Sequence, residues 1–362
     1  MNLQHLIRLN RSEFLTALFI FLFIVITVSG SRLLRLNSGN SIFFEEETTI
    51  EFNSLKGLDS LQFTLNEKGI DFDESELEWA ASLLGWKRFQ RGLYKFEDGY
   101  SYEDFLSKIA KGIQDPVSVV ILPGITIERL AEITSEQLHF EKEDLYEVFN
   151  DSTYLLEKGL SQEQLFGRML PNTYSMYWTT EPRDFTDKLL GEFDNAITEE
   201  HRSRAQQVGY SMDEILTLAS IVEWEAKFED EKARISGLYL NRLERGMRLQ
   251  ADPTVNFALG ERRRLLFEDY QFDHPFNTYL ISGLPPAPIT NPSLNTIEAT
   301  LYPEDHNYLY MVANPEGGHV FTKTFHEHQI ESEKWRIWLR EQYRIKRQRE
   351  AEESQTSENE AQ

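Results

Sequence analysis

The sequence predicts an α+β protein: an N-terminal transmembrane helix, a small α/β subdomain, and a larger mixed α+β domain. Three observations carry that prediction. A charge-free apolar run, FLTALFIFLFIVITV, occupies Phe14–Val28. Strand-like and helix-like segments alternate between short turns over residues 47–123. From about residue 165 the texture changes to long helices, a proline-rich stretch and a hairpin pattern. A chain of 362 residues is long enough for two or three domains.

Residues 1–13 read as a short N-terminal flank and 14–34 as a signal anchor, favoured over a cleaved signal, for which Ser29–Ser31 offer only a weak site; with no polar face the run does not suit a buried core helix. Arg8 and Arg11 precede it and Arg32 and Arg35 follow it, so flanking charge does not choose an orientation. Residues 36–46 read as a linker. TTIEF, GLYKF and PVSVVILPG are strand patterns, the last closed by Pro-Gly. DSLQFTLNEKG and DESELEWAASLLG are helices ending near Gly69 and Gly85. SYEDFLSKIAKG is a helix with Ser101 and Asp104 placed as a capping box. Residues 124–164 form a helical connector that begins with TIERLAEITSEQL.

In the larger domain, 165–345, FGRMLPNTYSMYW reads as an aromatic loop, and MDEILTLASIVEWEAKF and DEKARISGLYLNRLERG as helices. MRLQADPTVNFALG reads as a strand or extended segment. HPFNTYLISGLPPAPITNPS carries too many prolines for regular structure. NYLYMVANPEGGHVFTKT is a hairpin with Pro-Glu-Gly-Gly in the turn, and Thr324 caps a following helix with Glu327. Residues 346–362 form an acidic tail whose composition predicts disorder.

Composition excludes several functions. A formal charge of −23 argues against nucleic acid as a main partner, because phosphate binding needs a basic face. With no cysteine there is no disulfide framework, thiolate nucleophile or thiolate metal site. His326 and His328 are two apart on a helix and do not converge on a metal, and His319 stands alone. Neither a metal nor a cofactor is expected.

The stretch SIVEWEAKF holds the candidate chemistry. On a helical wheel, Ile215, Leu218, Ala219, Val222 and Ala226 form the apolar stripe, and Glu223 and Glu225 fall on its opposite borders. Being two apart, they do not face each other. The helix alone leaves two readings open. One is a solvated edge with a Glu223–Lys227 pair at i+4. The other is an acid held in a cleft.

The sequence that follows resembles the catalytic domain of the MltG/YceG-like family, the membrane-anchored endolytic murein transglycosylases. Five blocks agree in order: SIVEWE, NRL, GMRLQADPT, NTY with GLPPAPITNP, and YLY with GGHVF. The segment 47–123 resembles, more loosely, the family's LysM-like subdomain. Residue 251 is Ala where the family usually has Thr, Asn172 stands where Asp is usual, and Ala226 replaces a frequent Thr. The resemblance implies cleavage of peptidoglycan glycan strands without water, leaving 1,6-anhydro-N-acetylmuramic acid ends. It assigns the essential acid to Glu223. It also implies a single-pass inner-membrane protein with its catalytic domain outside the cytoplasm, acting with the wall-synthesis machinery.

One carboxyl suffices for that chemistry, because the muramyl 6-hydroxyl replaces the nucleophile that an ordinary glycosidase supplies. An acid of this kind needs a pKa raised toward neutrality, so Lys227 is expected to point away from Glu223. Glu225, Gln250, Asp252, Asn277, Tyr279 and Asn291 are the candidate substrate-binding residues. Two other readings compete: a muramidase-like hydrolase pairing Glu223 with a second carboxylate such as Asp252, and a non-catalytic glycan-binding scaffold.

Overall fold

A computed structural model of the chain describes residues 10–39 and 41–360, with side chains through residue 350. Arg8 and the last two tail residues lie outside the described residues. The fold is α+β. The chain divides into two compact units, one running through Ser118 and taking in Ser175–Thr180, the other comprising Val119–Tyr174 and Glu181 onward.

The first unit begins with α1 (Arg11–Leu36), capped by Asn10 and Glu13 in a reciprocal capping box. Its apolar side chains are exposed along the helix, and it is long and apolar enough to cross a membrane. At 1.5 Å per residue it reaches about 39 Å, against a hydrocarbon thickness of about 30 Å. A three-stranded antiparallel sheet follows, with β1 (Ile42–Phe52) central, β3 (Asp71–Phe72) on one edge and β5 (Gly92–Tyr100) on the other. The β1–β5 register breaks between Phe44 and Thr48, so Glu45–Glu47 sit in a bulge. Two short strands, β2 (Lys56–Gly57) and β4 (Arg88–Phe89), pair separately. Helices α2 (Leu58–Glu67), α3 (Glu74–Leu84) and α4 (Tyr102–Ala110) close the core with Leu61, Leu77 and Phe105 against Phe44, Ile50 and Phe96. Leu36, the last residue of α1, is buried in the same core, and the Arg35 guanidinium pairs with Glu76 and lies over the Trp79 ring.

β6 (Pro116–Ile121) and β7 (Asn172–Tyr177) form a two-stranded sheet, and the division between units falls inside each strand. β7 corrects the expected loop at FGRMLPNTYSMYW. Tyr174 and Met176 alternate inward with exposed neighbours, a strand pattern that the aromatic content hid.

The second unit is mainly helical. Helices α5 (Ile127–Gln137), α6 (Lys142–Asn150), α7 (Ser152–Lys158) and α8 (Gln162–Gly167) cover the expected connector and belong to this unit. α9 (Pro182–Ala196) and α10 (Glu199–Val208) lead to α11 (Met212–Glu225), whose residues from Ile215 to Val222 are all buried. One face of α11 packs Leu218, Ile221 and Val222 on Ile235, Leu238 and Tyr239 of α12 (Lys232–Glu244). The other packs Leu216 and Ala219 on Ile297 and Leu301 of α14 (Leu294–Leu301). Between these helices lies α13 (Asp252–Leu259), where a strand or extended segment was expected. Pro253 falls in the first turn, where its missing N–H costs nothing, and left-handed Gly260 ends the helix. Residues 272–293 are irregular, as their prolines require.

The hairpin β8 (Tyr310–Ala313) and β9 (His319–Thr322) forms as expected, with Ala313 opposite His319. α15 (Phe325–Glu360) starts at Thr324, whose hydroxyl accepts from the Glu327 amide. It continues as helix to Glu360, within the segment expected to be disordered. Arg, Lys, Glu and Gln are good helix formers, and Glu341–Arg344 and Lys346–Glu350 pair one turn apart.

Candidate active site

The site is built at the C-terminal end of α11. The helix starts at Ser211, whose capping box with Glu214 fixes its register, and stops when Ala226 turns extended. Its last three residues leave the buried run in different directions.

Glu223 turns toward α14. Its Oε2 accepts from the Ser293 amide at 2.9 Å and the Ser293 hydroxyl at 2.8 Å, and also from the Thr296 hydroxyl. Ser293 is the N-cap of α14, so Glu223 sits at a helix N-terminus, where a negative charge is favoured. Its Oε1 faces the Lys232 ammonium at 3.4 Å. The Glu223 side chain is 7 % exposed and that of Lys232 4 %. Desolvation pushes the Glu223 pKa up, but the bonds from Thr296 and Ser293 and the Lys232 charge outweigh it, and the net shift is downward. This corrects the expected rise. Lys227 does point away, its ammonium 5.7 Å from the centre of the Phe228 ring. The cation on Glu223 is instead Lys232, which also holds Glu229 at 2.6 Å.

Trp224 donates its indole N–H to the Gly124 carbonyl at 2.8 Å and carries the Arg262 guanidinium 4.9 Å over its ring. With Phe166, Phe257 and Pro288 it lines a cleft of about 340 Å³.

Glu225 turns toward α12 and α13. Its Oε1 accepts from the Tyr239 hydroxyl at 2.8 Å. Burial raises its pKa, and the Asp252 charge adds to the rise. The Tyr239 bond and the charges of His319 and Arg242 oppose it, and the net shift is upward. The carboxyl therefore holds its proton to higher pH than an ordinary glutamate, the direction a general acid needs. Burial and the neighbouring Glu225 also push the Tyr239 phenol well above its ordinary range.

Asp252, the first residue of α13, is exposed and accepts from the Tyr279 hydroxyl at 2.6 Å and the Tyr270 hydroxyl at 3.4 Å. The two tyrosine rings lie 4.5 Å apart. Gln250 is also exposed and adopts a left-handed backbone with φ 51°. The strap around it is tight. The Gln250 amide donates to the Thr278 carbonyl, the Ala251 amide to the Thr278 hydroxyl, and Thr254 and Thr278 join hydroxyls at 2.8 Å. The GMRLQADPT and NTY blocks thus bring Asp252 and Tyr279 into contact.

Asn277 and Asn291 do not reach an open surface, which corrects their expected place in the groove. Both are fully buried. Asn277 donates to the Tyr270 and Phe272 carbonyls and accepts from the Tyr279 amide. Asn291 donates to the Leu122 and Met169 carbonyls, and its side-chain oxygen accepts from the Ile125 amide. Each is a strut of the proline-rich loop. Sequence reasoning missed Lys232, Tyr239, Ser293 and Thr296. Only Ser293 left a signal, as a helix-capping residue after Asn-Pro.

His319 is engaged by Glu231, whose carboxylate takes its amide at 2.6 Å and its Nδ1 at 3.1 Å. His328 stacks on Tyr310 of the hairpin. Among the described residues no group of three acidic or imidazole side chains converges to hold a metal.

The chain is similar to a Bacillus subtilis protein named endolytic murein transglycosylase, 27 % identical over 309 residues, which cover 80 % of this chain and 86 % of the relative. A Streptococcus pneumoniae protein of the same name is 28 % identical over 291 residues, 71 % of this chain and 52 % of the relative; the chain thus spans about half of that longer protein. The crystal structure of a YceG-like protein from Listeria monocytogenes superposes with a TM-score of 0.56 at 27 % identity, covering 79 % of this chain and 99 % of that one. Residues 50–334 match the YceG-like family, and the chain belongs to that family.

Proposed function

We propose that the chain is a membrane-anchored endolytic lytic transglycosylase of peptidoglycan and that Glu225 is its proton donor. The bond cut is the β-1,4 link from N-acetylmuramic acid to N-acetylglucosamine, inside the strand. In the first step Glu225 gives its proton to the glycosidic oxygen. The C1–O4 bond breaks and its electron pair stays on the leaving oxygen. The muramyl 6-hydroxyl oxygen then bonds to C1, and its proton returns to Glu225. No water is consumed, and the product end is 1,6-anhydro-muramyl.

The observation that carries the assignment is the half-buried Glu225 carboxyl, which accepts from the Tyr239 hydroxyl and whose pKa is pushed up. The neighbouring Glu223 carries its charge into a cage of donors at the start of α14, which suits a strut better than an acid. In this reading α1 holds the protein in the inner membrane with both units outside the cytoplasm. Cleavage of nascent strands there sets their length.

The test is a digest of uncross-linked glycan strands by the full-length chain in detergent, with products read by mass. Glu225→Gln is expected to abolish anhydro ends, a loss of at least about 100-fold, while Glu223→Gln retains activity in proportion to its folded fraction. Loss confined to Glu223→Gln returns the acid role to that residue. Reducing ends identify a hydrolase, and a folded chain that yields no product is a glycan-binding scaffold.

A further inference from the structure

A lytic transglycosylase does not need a second carboxylate as nucleophile, yet Asp252 is built into this site with unusual care. It is exposed, so it is free to meet a ligand, and two phenols from the loop after α13 aim their hydroxyls at it. It stands two residues after Gln250, a non-glycine residue held in the left-handed region by bonds from the Gln250 and Ala251 amides to Thr278, whose hydroxyl in turn joins that of Thr254. Backbone strain of this kind persists only where surrounding contacts enforce it, and it concentrates at functional sites. Here its effect is to start α13 at a fixed point, with Asp252 at the helix N-terminus and near enough to Glu225 for its charge to act there.

We infer that Asp252 is a second working carboxylate of this site, placed to stabilise the positive charge that develops at the muramyl C1 and ring oxygen. The inference rests on the transglycosylase reading with Glu225 as acid. As Glu225 protonates the glycosidic oxygen and the C1–O4 electron pair departs, the sugar becomes an oxocarbenium-like cation. A fixed negative charge facing it lowers the barrier without forming a bond. Tyr279 and Tyr270 hold the carboxylate in place and discourage it from attacking C1 itself, because their hydroxyls occupy its lone pairs. The muramyl 6-hydroxyl is left as the nucleophile.

Asp252 also acts on Glu225 directly, since its charge opposes ionisation of that carboxyl. The groups that face Glu225 are Tyr239 and Arg242 from α12, Asp252 from α13, Tyr279 from the following loop and His319 from β9. Of these, Asp252, Tyr239 and Tyr279 add negative charge when ionised, and both tyrosines stay protonated because burial and a neighbouring carboxyl push their pKa up.

The experiment compares full-length wild type, Asp252→Asn and Tyr279→Phe on uncross-linked glycan strands across pH. Activity falls as pH rises through the Glu225 pKa, because the acid loses its proton. Removing the Asp252 charge lets Glu225 ionise more easily, so in Asp252→Asn this alkaline limb moves to lower pH. Its kcat is expected to fall about 100-fold with KM little changed. A merely structural residue would not move the limb. Tyr279→Phe keeps the carboxylate but loosens it, so kcat falls less than in Asp252→Asn and the limb does not move to lower pH; it also carries the test if Asp252→Asn does not fold. An unmoved limb in Asp252→Asn, or a raised KM at unchanged kcat, overturns the inference, as does unchanged kcat in Tyr279→Phe. Wild type that releases reducing ends overturns the transglycosylase reading itself. Wild type that releases anhydro ends alongside an indifferent Asp252→Asn overturns the role of Asp252 alone.

Discussion

Glu223 and Glu225 differ by two positions and by the company they keep, and they respond to pH in opposite directions. The Glu223 carboxyl is held below its ordinary pKa, so its contribution to stability is present above the unfolded value of about 4.3 and is lost as pH falls through the folded value. Replacing it with Gln removes the charge from beneath Lys232 and weakens the cap on α14. The expected cost is about 1–3 kcal/mol near pH 7, shrinking below about pH 4. Thermal melts of wild type and Glu223→Gln at both pH values check this, and an equal gap at both would remove the charge argument. Glu225 is the reverse case. Its raised pKa means the folded state keeps a proton that the unfolded state gives up, so ionising it as pH rises lowers stability. Glu225→Gln is therefore expected to melt no lower than wild type at high pH while losing activity at every pH.

At the level of elements, the site depends on how the proline-rich loop is pinned. Asn291 joins the segment before α5, the end of α8 and that loop by three bonds in a fully buried position. Asn291→Ala leaves one amide and two carbonyls without their partner and is expected to cost about 3 kcal/mol. Denaturant melts report the loss; a variant of native stability with a raised KM would restore Asn291 to the groove. The same elements show what the sequence disclosed. Most helices and the hairpin were legible because their apolar spacing, capping residues and turn glycines are local. α13 was read as a strand or extended segment, although a proline in the first turn suits a helix start. The partners of Glu225 were hidden for a different reason. Tyr239, Asp252 and Tyr279 come from separate segments, and a helical wheel of α11 sees none of them. Family blocks pointed to this segment, and the packing of α12 and α13 gives the two glutamates their different surroundings.

For the whole molecule, the excess of acidic over basic residues and the apolar α1 make separate demands. The full chain is expected to sediment with membranes and to stay there in high salt, because burial of α1 is hydrophobic and salt screens only charge. Detergent should release it. Release by salt alone would show that α1 does not span the bilayer.

The junction after α1 has a consequence for reach. Leu36 is sealed into the core of the first unit and Arg35 is clamped to Glu76, so the helix passes into folded protein with almost no slack. Five residues separate the end of α1 from β1, no more than about 18 Å when fully extended. With α1 in a bilayer, the first unit is held like a float at the water line rather than like a buoy on a chain.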